Sequence, residues 1–295
     1  EKHAAAFIVM RGFHYDTLET ANAYRKNLGD EKIQLGRIPG FMISAKDATE
    51  MVRDGVETVH LTLVQNEFEA TSRNVLAVIP GTEYPEESIA LTAHYDSVTV
   101  GKGAHDNASG AAALMHIYRH FLQNPPKRTL RFIWCGAEEG GLFGSQAYIE
   151  RNKALMPQIR LCFNFDMCGT TLGENHISVT GGEALKHFTE QFCREVGRSS
   201  VVRARVQSSD SAVFADHGVP AIAISRYADS ADYHVHSDVL FPLGAEQLYR
   251  DAAFAVRYIE RVANSVVLPL DKTIPDDLKK ELEKYFDRDK IKNNG

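Results

Sequence analysis

Short apolar runs alternate with amphipathic stretches along the chain, and the alternation becomes regular from Asn74 onward. Residues 75–79 and 89–92 are nearly continuous apolar runs, the pattern of strands covered on both faces. Residues 107–122 carry Ala111, Leu114, Tyr118, Phe121 and Leu122 at helical spacing, and Pro125-Pro126 closes the connection that follows. Residues 130–137 and 161–167 read as strands. Residues 183–196 read as a helix with Leu185, Phe188, Phe192 and Val196 on one side, 221–225 as a strand and 244–262 as a long helix. Strands alternating with helices predict an α/β fold: a mixed, mostly parallel central sheet flanked by helices on both faces. Such sheets place their ligands at the carboxyl ends of the strands.

Two flanking pieces differ from this pattern. Residues 1–65 form a small α+β segment, with strands over 4–10, 38–44 and 59–64 and a helical turn over 48–53 closed by Gly55. Residues 66–265 hold the alternating pattern. Residues 266–295 form an extension whose stretch 275–292 reads as a charged amphipathic helix, with Ile274, Leu278, Leu282, Tyr285 and Phe286 as its apolar stripe. Packing of that helix on the body is the expectation.

At 295 residues, 44% of them hydrophobic and 24% charged, the chain can bury a full core. The formal net charge of -6 argues against nucleic acid as a partner, because that affinity comes largely from clustered Lys and Arg. No apolar run approaches the ~20 residues of a membrane span. Cys135, Cys162, Cys168 and Cys193 read as buried thiols, since the first two sit inside apolar strand-like runs. There is no Cys-x-x-Cys pair to suggest a sulfur-bound structural zinc.

The densest chemistry is Glu138-Glu139, between the apolar run 130–137 and the glycine-rich Gly140-Gly141. Adjacent carboxylates at the end of a buried strand repel one another and lose solvation, a cost that a nearby cation removes. His94 follows the run 89–92, with Asp96 two positions on as a candidate to orient its ring. Asp106 stands at the start of a helix among small residues, where helix capping is the competing role. Asp166 interrupts an apolar run and so needs a partner, either a basic side chain or a metal. His234 and His236 lie in a polar loop. His116 and His120 are four apart on a helix, but Ile117 stands where the zinc-protease motif needs Glu, so they read as a solvated face. The joint order of His94, Asp106, Glu138, Glu139, Asp166 and His234 points to a two-metal hydrolase in which one Glu holds metal and its neighbour moves protons.

Several segments together resemble the co-catalytic zinc aminopeptidases that include bacterial leucyl aminopeptidase and aminopeptidase Y. They are His94-Tyr95-Asp96-Ser97, residues 103–110, Ala137-Glu138-Glu139-Gly140 with residues 142–145, and Asn164-Phe165-Asp166-Met167. Ser209-Asp210 before Phe214, Gly218-Val219-Pro220-Ala221, and Tyr233-His234 with Asp238 complete the set, over residues 74–262. The resemblance implies a zinc-dependent exopeptidase-like fold and release of N-terminal residues from peptide substrates. It also implies two zinc ions bridged by Asp106, one held further by Glu139 and His234, the other by His94 and Asp166. Glu138 would be the general base, Asp96 would be catalytic through the ring of His94, and Tyr233 an optional helper. The family spacing selects His234 over His236, and implies a cis peptide bond after Asp106. Residues 1–65 resemble the later part of a protease-associated domain, the chain beginning inside it. Glutaminyl cyclisation, carboxypeptidase activity or a non-catalytic binding role are alternatives that related chains carry. Manganese or cobalt could stand in for zinc. A secreted or extracytoplasmic location is implied by the resemblance alone, while the unpaired cysteines point towards the cytoplasm. The residue preferred at the cleaved end and the oligomeric state are open at this point.

Overall fold

Seven strands form the central sheet of this computed structural model, which describes residues 5–11, 40–62, 64, 68–99, 101–228 and 233–286. In chain order they are β3 (Val75–Ile79), β4 (Tyr84–His94), β5 (Arg128–Cys135), β6 (Ile159–Phe165), β7 (Glu174–Thr180), β8 (Val201–Ala204) and β9 (Ala221–Tyr227). Their spatial order is β3-β5-β4-β6-β9-β7-β8. The four central strands β5, β4, β6 and β9 run parallel, while β3 and β7 pair antiparallel to β5 and β9. The sheet is therefore mixed and mostly parallel, as the alternation of elements predicts.

Neighbouring side chains on a strand point to opposite faces, and both faces are covered. Leu91, Phe132 and Phe163 pack beneath α2 (Ser109–Gln123), α4 (Glu183–Glu195) and α6 (Ala245–Ala263). Ala90, Ile133 and Cys162, one register position away, pack beneath α3 (Phe143–Arg151), α5 (Asp210–Asp216) and α7 (Asp276–Tyr285). Phe163 is fully buried, stacked on Phe165 at 5.1 Å and edge-on to Tyr258 at 5.3 Å. Truncating such a side chain removes its transfer energy and leaves a cavity. Phe163→Ala should therefore lower stability by about 3–5 kcal/mol in denaturant unfolding, and a loss below about 1 kcal/mol would contradict this packing.

The differences from the sequence pattern have local causes. Residues 59–62 and 64 form no strand, and Val59 and Val64 are exposed, since no described strand pairs with them. The run 75–79 is a strand at the sheet edge, not one covered on both faces: Val75, Leu76 and Val78 are about half exposed. In α2 the buried stripe is Ala113, Leu114, Ile117 and Phe121, with Ala111 and Tyr118 partly buried, whereas Leu122 points to solvent. Strands β7 and β8 and helices α3 and α5 have no counterpart in the pattern reading. Helix α7 buries Leu278 and Leu282 against the body, with Ile274 buried just before it and Phe286 partly buried, whereas Tyr285 of the expected stripe is exposed; residues 287–292 of the expected helix lie outside the described residues. All four cysteines are free and buried. Near the start, β1 (Phe7–Arg11) and β2 (Gly40–Ser44) pair in parallel and lead into α1 (Ala45–Arg53), which Ser44 caps by accepting from the Asp47 amide at 2.9 Å.

Candidate metal centre

The carboxyl ends of the parallel strands converge on one site. His94 ends β4, Glu138-Glu139 follow β5, Asp166 follows β6, and the segment after β9 leads to His234. Asp106 comes from the π-turn Ala104–Ala108 that opens α2. Its two carboxylate oxygens face opposite histidines: Oδ1 lies 3.1 Å from His94 Nε2, and Oδ2 lies 2.9 Å from His234 Nε2. On the first side, Asp166 Oδ1 is 3.4 Å and Glu138 Oε2 4.0 Å from His94 Nε2. On the second, Glu139 Oε2 is 2.9 Å from His234 Nε2. The side chains divide into two groups able to hold an ion, His94 with Glu138 and Asp166, and Asp106 with Glu139 and His234.

Backbone geometry fixes these positions. The Asp96 carboxylate accepts hydrogen bonds from the amides of Glu138 (3.0 Å) and Glu139 (3.2 Å). It lies 3.7 Å from His94 Nδ1, whose closer partner is the Asp96 main-chain oxygen at 3.1 Å. Asp96 thus holds the acidic pair through its carboxylate and also lies beside Nδ1 of the His94 ring, where the spacing expects it. Asp238 does the same for the Asp106 segment, accepting from the amides of His105 (2.6 Å) and Asp106 (3.1 Å). Asn107 ties that segment to the end of β6, donating to Phe165 O and accepting from the amides of Gly110 and Met167. A Cβ at Gly110 would collide with both Asn107 Oδ1 and Phe165 O, so glycine is required there for close approach. Ala137, Met167 and His234 have positive φ values of 58°, 63° and 60°, left-handed conformations that turn the chain sharply beside or at three of the site residues. The Asp106–Asn107 peptide bond is cis, as the family resemblance implies.

Electrostatically the site calls for positive charge. Burial opposes protonation of His94 and His234, yet the carboxylates around them prevail: Asp106 and Asp166 raise His94 well above its ordinary value, and Asp106 and Glu139 raise His234 to about 9. Burial works to raise the Asp106 carboxyl, but hydrogen bonds from His234 and His94 pull it well below the usual range. Burial raises Glu138 strongly; the charge on His94 opposes this, while the carboxylates of Asp166, Asp210 and Glu139 add to it. Among the described residues, the ion pairs of Asp106, Glu138, Glu139 and Asp166 are all with histidine. Glu139 Oε1 is buried without a hydrogen-bond partner, and Asp166 Oδ1 has only the 3.4 Å approach of His94 Nε2. Four carboxylates and two imidazoles with an orphaned oxygen form a donor set that fits two divalent cations. Donor atoms around one tetrahedral zinc at ~2.0–2.1 Å stand roughly 3.3 Å apart, close to the separations among His94, Asp106 and Asp166.

All seven expected residues, His94, Asp96, Asp106, Glu138, Glu139, Asp166 and His234, are brought together. His236 is exposed, and it is His234 that groups with Asp106 and Glu139. His116 is exposed and His120 pairs with Glu260 at 2.9 Å, both outside the site. Sequence reasoning gave no role to Asp238 or Asn107, whose hydrogen bonds hold the Asp106 segment. It gave none to Asp210 either, which is fully buried beside Ser145 and Cys135. Burial pushes its carboxyl up to about 6 against the charge of His94. The signal in the sequence was its place in the family-like segment Ser209-Asp210 before Phe214, which named the residue without giving it a role.

The sequence profile of Peptidase family M28 matches residues 74–257, which hold every one of these side chains. The chain belongs to this family. As an M28 member it is 24% identical over 285 residues to aminopeptidase YwaD of Bacillus subtilis, an alignment covering 92% of this chain and 61% of that protein. It is 29% identical over 268 residues to carboxypeptidase Q of Bos taurus, covering 85% of this chain and 55% of the relative. The chain thus spans about half the length of the curated relatives it matches. Among solved structures, a peptidase M28 precursor from Shewanella amazonensis superposes with a TM-score of 0.70 and 23% identity, covering 93% of this chain and 63% of the other. That superposition shows the shared M28 fold, with its mostly parallel sheet between two helical layers.

Proposed function

We propose that this chain is the catalytic part of a metallo-aminopeptidase that removes N-terminal residues from peptides with two zinc ions. The observation that carries the reading is Asp106, with one carboxylate oxygen towards each of two histidine-containing groups. In this reading Asp106 would help to hold both ions, with Glu139 and His234 holding one and His94 and Asp166 the other. The M28 match and the aminopeptidase among its relatives support the same activity.

Bound at this site, two zinc ions would polarise the scissile carbonyl and acidify water. The remaining chemistry belongs to the protein. Glu138 accepts the proton of the attacking water at its carboxylate and returns it to the leaving amine. Burial raises the proton affinity of this carboxylate, while the charge of His94 opposes the rise. Asp96 holds the Glu138 and Glu139 amides and so sets the position of the base relative to the bound peptide. Asp96→Ala should lower kcat/KM by about 10–100-fold while most of the metal is retained, because it removes support and no ligand. Unchanged kinetics would show that the two amide bonds do not position the base.

The direct test is release of amino acid from a panel of aminoacyl-anilides, before and after chelation and zinc restoration. Chelator-sensitive release supports the reading. Release only from the C-terminal end of peptides would move the assignment to a carboxypeptidase, the activity named for the bovine relative. Conversion of N-terminal Gln to pyroglutamate would move it to a cyclase.

A further inference from the structure

A cavity of about 410 Å³ opens between the turn that follows α4 and helix α6, with Asn175 of β7 also in its wall. That is the size of a small-molecule site, and no residue of the metal centre lines it. Three arginines, Arg198, Arg250 and Arg257, line it, and among the described residues no carboxylate does. The chain as a whole carries a net charge of -6, so a wall with cations alone stands apart from the rest of the molecule.

Arg198 is held in place before any ligand arrives. Its side chain is 9% exposed, and its guanidinium carbon lies 4.7 Å from the centre of the Phe254 ring. Nη2 donates to Asp251 Oδ1 at 2.7 Å and to Asn175 Oδ1 at 3.0 Å. Asp251 is fixed in turn by the Gly169 amide (2.9 Å) and Gln247 Nε2 (3.0 Å), and Asn175 by Arg226 Nη1 (2.8 Å). Yet Nε of Arg198 is buried without a partner, and Nη1 engages no group among the described residues. A guanidinium offers five N–H donors in a planar fork, so this one is pre-set with donors left over. Asp251 balances the charge of Arg198, and Glu246 pairs with Arg250, whereas exposed Arg257 has no ion pair among the described residues. The wall therefore keeps an uncompensated positive charge. The end of α4 does not cancel it, because the carbonyls of Phe192, Cys193 and Arg194 already accept from the amides of Val196, Arg198 and Gly197. Tyr249 and Phe254 set aromatic surface beside the cations.

We propose that this cavity binds a small organic oxyanion, a carboxylate or phosphate ester with an apolar or aromatic part, through Arg198, Arg250 and Arg257. Guanidinium groups suit the planar carboxylate and the phosphate alike, and the aromatic walls suit the remainder of the ligand. The proposal stands apart from the aminopeptidase reading, and neither depends on the other.

The test is calorimetric titration of the zinc-loaded full chain with phenyl phosphate, benzoate and neutral phenol. At least one anion should bind near one per chain and at least about tenfold more tightly than phenol, the tighter of the two naming the class of ligand. Oxyanions also bind metal, so the titration is repeated on Asp106→Asn, on the double variant Arg250→Gln/Arg257→Gln, and on Ala253→Trp, which fills the cavity. Binding should persist in Asp106→Asn and weaken at least about tenfold in both cavity variants, each with a cooperative melt like that of the parent. The two arginines are exposed, so the double variant keeps the fold should the tryptophan disturb it. No binding of either anion, phenol binding as tightly as both, or binding lost in Asp106→Asn but kept in the arginine variant would overturn the proposal.

Discussion

Glu138→Gln protein should carry its full complement of metal and lose about 10²–10⁴-fold in kcat, the usual contribution of a positioned general base. The amide keeps the shape of the side chain and its place after β5, so the Asp96 hydrogen bonds to the Glu138 and Glu139 amides survive. What disappears is the proton acceptor. The melting temperature should not fall, because the native carboxylate is a buried group whose ionisation burial and three neighbouring carboxylates oppose. Turnover on leucyl-p-nitroanilide, read beside zinc content on the same preparation, checks the prediction. Near-normal kcat with full zinc would assign the base elsewhere, and loss of zinc together with rate would make Glu138 a ligand. The second outcome has a structural motive, since Glu138 groups with His94 and Asp166 around one candidate ion position.

Asp106→Asn should be the more damaging change. The aspartate faces both histidines, so its loss weakens both halves of the centre, whereas removal of Asp166 or Glu139 weakens one. Zinc should fall below about one ion per chain and kcat/KM by more than about 10³-fold, since transition-state charge stabilisation and water activation are lost together. The fold should persist. Asp106 sits in a π-turn at the mouth of the sheet, and the amides of His105 and Asp106 remain tied to Asp238. Circular dichroism with a cooperative melt separates loss of metal from loss of structure. A variant that keeps two zinc ions would show that Asp106 is not shared between them.

Much of this site was legible because its residue types are costly where they stand. Asp166 interrupts an apolar run, and Glu138-Glu139 follow one, so each asks for a compensating charge before any coordinates are known. The order of strands and helices was legible where burial is two-sided, as in β4, β5 and β6. It was not legible where burial is one-sided or the element short. Strand β7 begins with Glu174, Asn175 and His176, β8 is four residues with Arg203 among them, and α5 is seven residues buried almost all round, too short for a helical period to declare itself. The opposite error, a strand over 59–64, arose from alternation that no strand among the described residues takes up. The choice of His234 over His236 came from the family spacing alone; the left-handed φ of 60° at His234 has no local signature in a histidine. Asp210 becomes a buried carboxyl only when α5 packs beneath β4 and β6.

Elemental analysis of the purified chain, titrated with zinc after chelation while leucine release from leucyl-p-nitroanilide is followed, tests the two-ion account most directly. Activity that is absent in metal-free protein and rises to a plateau at about two zinc ions per chain is the predicted result. Full activity in metal-free protein, or a plateau at one ion with no further binding, would contradict a centre bridged by Asp106.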